Sequence, residues 1–247
     1  MMADYHRQYL NVSAADSLLA GVAIRGMVRY DEKVEPILGQ LDSGLVVATG
    51  GVIKGAKLIE PTLSETAKLR LSDSTPENVQ LTYDIVEKIK RDDPEQAHWL
   101  NHATDMENHH PKWGGGLGRV ATMATFGVAD LRTLAPRSAQ VVAMEYGAES
   151  AFAEREDYVY AIGKFAAAAE VMLYMAYTVG SGGYAVGERN HPAYPVTISE
   201  AAELIERSGF NLITDPEEGF APASKELRQE GDPHDYDGFA ALVAIRK

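Results

Sequence analysis

The feature that most constrains the fold is a rhythm. Short apolar, β-branched runs recur between segments that carry helix-start signals. Gly44-Leu-Val-Val-Ala-Thr49, Gln140-Val-Val-Ala-Met-Glu145, Phe210 to Ile213 and Phe239 to Ile245 read as buried strands. Ser74-Thr75-Pro76 pairs a capping hydroxyl with a first-turn proline and predicts a helix to about Lys90. Asp93-Pro94-Glu95-Gln96 starts another, which must end before Pro111. Thr197 and Glu200 form a capping box for a helix ending near Gly209. Strand and helix alternate, which predicts an α/β fold: a mostly parallel sheet with flanking helices.

The N-terminal part reads mainly as helix. Ser13 and Asp16 resemble a capping box, an apolar run follows from Ala14 to about Val28, and a short helix is expected over Glu32 to Leu41. The glycine stretch Gly114 to Gly118 suggests a boundary. It divides a helix-rich region, 1–115, on the lid or substrate side, from a cofactor-binding domain, 116–247. Beyond it, Val120 to Thr125 reads as a strand, Val128 to Leu134 as a short helix, Glu149 to Thr178 as one long helix and Tyr184 to Val186 as a strand.

Composition narrows the function. With 45% hydrophobic and 24% charged residues the chain reads as a folded globular protein. The absence of cysteine excludes disulfides, thiolate metal sites and cysteine nucleophiles, and fits a cytoplasmic location. The polar Met1 to Leu10 predicts no export signal, and no apolar run is long enough to span a membrane. A net charge of −13 disfavours nucleic acid and anionic lipid as partners and favours a small-molecule substrate.

Arg119-Val-Ala-Thr-Met-Ala-Thr-Phe-Gly-Val-Ala-Asp130, with Gln140 to Glu145 after it, reads as strand, turn, helix, strand, acid. Gly182-Gly-Tyr-Ala-Val-Gly-Glu188 follows a long helix, and Ile198 to Phe210 with Phe239 to Lys247 supplies a last helix and a closing pair of strands. Over 118–247 this resembles the class I, Rossmann-like S-adenosylmethionine-dependent methyltransferases. The resemblance implies S-adenosylmethionine as cofactor and methyl transfer to a small-molecule acceptor. It implies a cofactor turn of Thr122, Ala124, Thr125 and Gly127, with Glu145 on the ribose, since an acid about 20 residues past such a turn binds ribose hydroxyls. The turn departs from the family in carrying Gly127 as its one glycine at the matching positions.

The histidines offer other chemistry. His109 and His110 are the expected acid–base pair, because imidazole titrates near neutrality; a helix-end cap is the plainer role. His98, His102, Asp105 and His109 are spaced four, three and four, one face of a helix, and could serve a metal-dependent lyase or hydrolase. Asn108-His-His-Pro-Lys-Trp113 also resembles the signature of pterin carbinolamine dehydratases, whose histidines handle protons on a pterin. A third possibility is a non-catalytic Rossmann-like module, its tyrosine-bearing long helix serving as a homo-oligomer surface. Glu188 to His191 at a strand end and Asp232 to Asp237 are polar loops that could line a pocket or hold a cation.

Overall fold

A computed structural model describes residues 14–49, 53–93, 97–114, 117–186, 189–223 and 236–247. In chain order these form α1 (Ala14–Lys33), α2 (Glu35–Leu38), β1 (Leu41–Val47), α3 (Lys54–Ile59) and β2 (Leu63–Asp73). There follow α4 (Pro76–Lys90), α5 (Ala97–His109), α6 (Gly118–Met123), β3 (Ala124–Val128) and β4 (Ala139–Glu145). The remainder is α7 (Ala148–Ala151), α8 (Arg155–Ala168), β5 (Ala169–Val179), the pair β6 (Gly183–Val186) and β7 (Arg189–Pro192), α9 (Ile198–Arg207), β8 (Phe210–Leu212), β9 (Phe220–Pro222) and β10 (Gly238–Arg246).

One sheet organises the molecule, in the order β3-β2-β1-β4-β5-β10-β8, with β9 also paired to β10. β1 to β5 are mutually parallel, and β10 runs antiparallel to β5 and to β8. β6 and β7 make a separate hairpin. From β1 the chain winds through β2 to the β3 edge, then returns to place β4 on the other side of β1. The winding direction thus reverses between β1 and β4. In open α/β sheets that reversal opens a crevice at the carboxyl ends of the strands, where ligands bind.

The central strands are apolar on both faces, as a sheet covered on both sides requires. Val46, Leu69, Val141, Ala143 and Tyr174 share a core with α1, α3, α4 and α6. Val47, Val142, Met144, Leu173 and Tyr177 pack on the opposite side under α8 and α9. The helix starts follow their capping chemistry: the Thr75 hydroxyl accepts from Asn78 N–H at 3.3 Å, and the Thr197 hydroxyl from Glu200 N–H at 3.2 Å.

The α/β architecture and mostly parallel sheet agree with the sequence reading, but several elements do not. The division at 115/116 cuts through the sheet, because β1 and β2 precede it yet pair directly with β4 and β3, which follow it. Val120 to Thr125 is helix α6 running directly into β3, and Val128 to Leu134 holds the end of β3 and a 3-10 turn, Leu131–Thr133. The single helix expected over Glu149 to Thr178 is α8 followed without a loop by β5. Ala169 alone marks the change, its backbone turning from helical to extended (φ −81°, ψ 129°). No glycine or proline announces that junction, and an apolar strand buried on both faces has no alternation to distinguish it from buried helix. The helix expected over Glu32 to Leu41 shortens to α2, since β1 starts at Leu41. Ser13 lies outside the described residues.

Candidate functional site

The strand ends at the reversal point hold an unusual backbone. Ala48, just past β1, and Tyr146, just past β4, both adopt left-handed conformations (φ 56° and 53°). Non-glycine residues pay a steric cost of about 1–2 kcal/mol there, and such residues gather at functional sites. The two turns touch: a Cβ on Gly147 would lie 2.8 Å from the Ala48 Cβ. Glycine at 147 is what lets them approach.

Two carboxylates flank this contact. Asp73 ends β2, immediately beside the end of β1, and is buried. Its Oδ1 accepts from Thr75 N–H and Asn78 Nδ2, both at 3.1 Å, and from the hydroxyls of Ser74 (3.5 Å) and Thr75 (3.4 Å). Those donors start α4, so capping that helix also fixes the carboxylate's orientation. On the β1 side, Thr49 donates its N–H to Ser72 O at 3.2 Å, and its hydroxyl bonds the Thr82 hydroxyl at 3.1 Å. The loop from β1 to α3 is thereby tied to the end of β2.

Glu145 ends β4 and is half-buried. The Tyr174 hydroxyl donates to its Oε1 at 3.0 Å. Burial, reinforced by the Glu145 charge, pushes the Tyr174 phenol well above its ordinary range, so it remains a donor. Gly55 in α3 faces the same carboxyl: a Cβ there would sit 3.5 Å from the Glu145 carboxyl carbon. The first turn of α3, the end of β4 and β5 therefore converge on Glu145. Beyond β3, Asp130 pairs with Arg132, whose hydrogen bonds and charge hold its carboxyl below the usual range.

The residues expected to form the cofactor turn lie elsewhere. Thr122 is exposed on α6 and donates its hydroxyl to Gly118 O at 2.9 Å. Ala124, Thr125 and Gly127 lie on β3, the edge strand, with the Thr125 hydroxyl donating to Leu69 O at 3.3 Å and Gly127 facing the Arg70 guanidinium. Glu145 does lie at the crevice, but on the fourth strand rather than the second. The His109 ring packs against Gly21 of α1, where a Cβ would come within 2.8 Å of its Cε1. His110 caps a 3-10 turn, accepting from Lys112 N–H at 3.2 Å, and its ring meets Trp113 edge-on. Trp113 donates to Leu58 O, and Lys112 pairs with Glu35, just before β1. His110 thus belongs to the opposite end of the sheet from Glu145.

The side chains of His98 and His102 lie outside the described residues, as does Glu188. Among the described residues no three His, Asp or Glu side chains are grouped to hold a metal. His191 stacks on Tyr184 within the β6–β7 hairpin (5.1 Å, 17°). Of Asp232 to Asp237, only Tyr236 and Asp237 are described. No described helix is long and apolar enough to cross a membrane. Sequence reasoning passed over Asp73, although Leu69-Arg-Leu-Ser-Asp73 followed by Ser-Thr-Pro is a strand ending in an acid at a helix start. It lies about 20 residues past Gly50-Gly51, the spacing of a ribose-binding acid.

Comparison with known proteins places this architecture. No family model and no curated protein matches the sequence. Solved structures do match in fold. A magnesium protoporphyrin IX methyltransferase from Synechocystis PCC 6803, with bound S-adenosylhomocysteine, aligns at TM-score 0.50 and 14% identity over 99% of this chain and 94% of that one. An S-adenosylmethionine-dependent methyltransferase from Clostridium acetobutylicum ATCC 824 aligns at 0.52 and 8% identity, covering 90% and 91%. The PH0226 protein from Pyrococcus horikoshii OT3 aligns at 0.50 and 9%, covering 90% and 89%. The chain has the Rossmann-like fold of these proteins. The likeness extends along nearly its whole length, not merely over 118–247.

Proposed function

We propose that the protein is an S-adenosylmethionine-dependent methyltransferase acting on a small-molecule acceptor. The observation that carries the reading is the reversal point itself. Two left-handed turns meet there between a fixed carboxylate on β2 and a half-buried one on β4, in the fold of proteins named as methyltransferases.

The residues present suit the cofactor. The sharp turn at Ala48 carries the backbone out of β1 at the reversal point, where a ligand can meet it. Asp73, already oriented by the α4 start, would accept from the ribose hydroxyls, the role the sequence reading gave to Glu145. Bound there, S-adenosylmethionine would supply an electrophilic methyl whose transfer forms one bond to the acceptor, breaks one C–S bond and leaves S-adenosylhomocysteine. Glu145, at the end of β4 across the reversal point, would take the acceptor's proton, with the Tyr174 hydroxyl holding its carboxylate in place. The protein's main contribution is alignment of donor and acceptor.

Titration calorimetry with S-adenosylhomocysteine tests the reading. Micromolar binding is expected, weakened about tenfold or more in Asp73→Asn, because one to two hydrogen bonds to a charged acceptor are lost. Glu145→Gln should bind like the parent. No heat with the parent protein, or equal loss in both variants, overturns the assignment.

A further inference from the structure

Resting on the methyl-transfer reading, we infer that the acceptor is a planar aromatic molecule carrying an ionisable hydroxyl, received on a shelf of aromatic side chains beside Glu145. The residue after Glu145 is Tyr146, and its left-handed backbone turns the chain sharply at the strand end. Its N–H bonds Ala176 O on β5 at 2.8 Å, which anchors the turn. The Tyr146 ring meets Phe239 edge-on, with centroids 6.2 Å apart and planes at 86°. Phe239 in turn packs against Tyr236, at 5.2 Å and 55°.

The register explains why these rings gather here. Glu145 pairs with Ala176 on β5, and Ala176 with Ala241 on β10. Phe239 pairs with Thr178, two residues nearer the carboxyl end of β5. Since side chains alternate across a strand, Glu145, Tyr174 and Phe239 project to the same face of the sheet. β10 is antiparallel, so its first residues lie at the crevice edge, and Phe239 stands beside the mouth rather than in the body of the sheet.

Tyr146 and Phe239 are half-buried and back onto the core, while Tyr236, packed on Phe239, is buried. Each half-buried ring keeps part of its surface outside the core. Edge-to-face and offset arrangements favour a further aromatic ring over an aliphatic one of equal size. Glu145, at the near end of the shelf, suits an acidic hydroxyl rather than a carboxylate, which its charge would repel. The substrate class follows from those two features together: a flat π surface for the rings and a dissociable O–H for the carboxylate.

The experiment uses the full chain preloaded with S-adenosylhomocysteine and two probes of matched size, planar 2-naphthol and puckered decahydro-2-naphthol. Calorimetry is expected to show 2-naphthol binding about tenfold more tightly than its saturated counterpart. Phe239→Leu, which keeps bulk but removes the π face, should lower that preference about threefold or more while leaving S-adenosylhomocysteine binding unchanged. If S-adenosylhomocysteine binds but the two naphthols bind equally, or neither binds, the acceptor class is overturned and the donor site stands. If S-adenosylhomocysteine gives no heat, the donor site falls and the shelf's assignment as an acceptor subsite falls with it. Should Phe239→Leu fail to fold, Tyr146→Leu, which removes the other half-buried ring, should lower the same preference.

Discussion

Glu149, on α7, gives the sharpest stability prediction, because it is a carboxyl held in an apolar layer. It is 3% exposed and accepts from Thr178 N–H at 3.2 Å. Burial pushes its carboxyl up to about 8, against hydrogen bonds from its own N–H and that of Thr178, which act the other way. The fully buried phenols of Tyr158 and Tyr177 stand within electrostatic reach, both pushed up by burial first and by the Glu149 charge second. Their hydroxyls have no hydrogen-bond partner among the described residues. The surroundings therefore offer little to a charged carboxylate. In the unfolded chain the same group titrates near 4.5. Below that pH both states hold the proton, and the folded state keeps its full advantage. Between about 4.5 and 8 the folded protein keeps a proton that the unfolded chain has lost. Each pH unit in that window removes about 1.4 kcal/mol, or about 5 kcal/mol across it, with no further loss above the folded value. Glu149→Gln retains an acceptor for Thr178 and cannot ionise. Urea unfolding of both proteins at about pH 5, 6, 7 and 8 isolates the effect as their difference, which should grow in the variant's favour by about 1.4 kcal/mol per unit. Parallel pH profiles would refute the reasoning, since they would mean that the carboxyl is solvated or charge-paired when folded.

Three further substitutions test the packing that positions the site. Lys57 and Glu60 form an ion pair at 3.0 Å with side chains 3% and 7% exposed, and Arg119 bonds the other Glu60 oxygen. Glu60→Ala strands the buried ammonium and should cost about 3–5 kcal/mol in denaturant unfolding, whereas Arg132→Ala, which breaks an exposed pair, should cost under about 1 kcal/mol. Gly26 packs α1 against the sheet, where a Cβ would lie 2.6 Å from Thr214 Oγ1 and 2.9 Å from Val243 Cγ2. Gly26→Ala should therefore lower stability by about 1–3 kcal/mol, read as a drop of several degrees in Tm.

The fold was legible where local chemistry is strong. Thr75-Pro76 and Thr197 with Glu200 mark helix starts that the structure reproduces, because a side-chain oxygen satisfies a backbone N–H regardless of what packs around it. The runs Gly44 to Thr49 and Gln140 to Glu145 mark β1 and β4, because buried parallel strands are apolar throughout. Legibility failed where two elements join without punctuation. α6 passes into β3 at Ala124, and α8 into β5 at Ala169, each by a single change of backbone angle at an alanine. Alanine serves in both, so periodicity carries no mark of the junction.

The site was half legible for a related reason. Glu145 was picked out as the acid closing a strand, and it does stand at the crevice. Its partner turn was sought in the residues just before it, which assumes that neighbours in the sheet are neighbours in sequence. The reversal of winding breaks that assumption: β4 lies beside β1, about ninety residues earlier, and the β3 residues taken for the turn lie two strands beyond β1 at the far edge. Asp73 has the spacing and the strand-end position of a ribose acid, but its hydrogen bonds also cap α4, so in sequence it reads as an ordinary helix start. In sequence a carboxylate that caps a helix shows that signature alone, and only the adjacency of β1, β2 and β4 brings Asp73 to the reversal point.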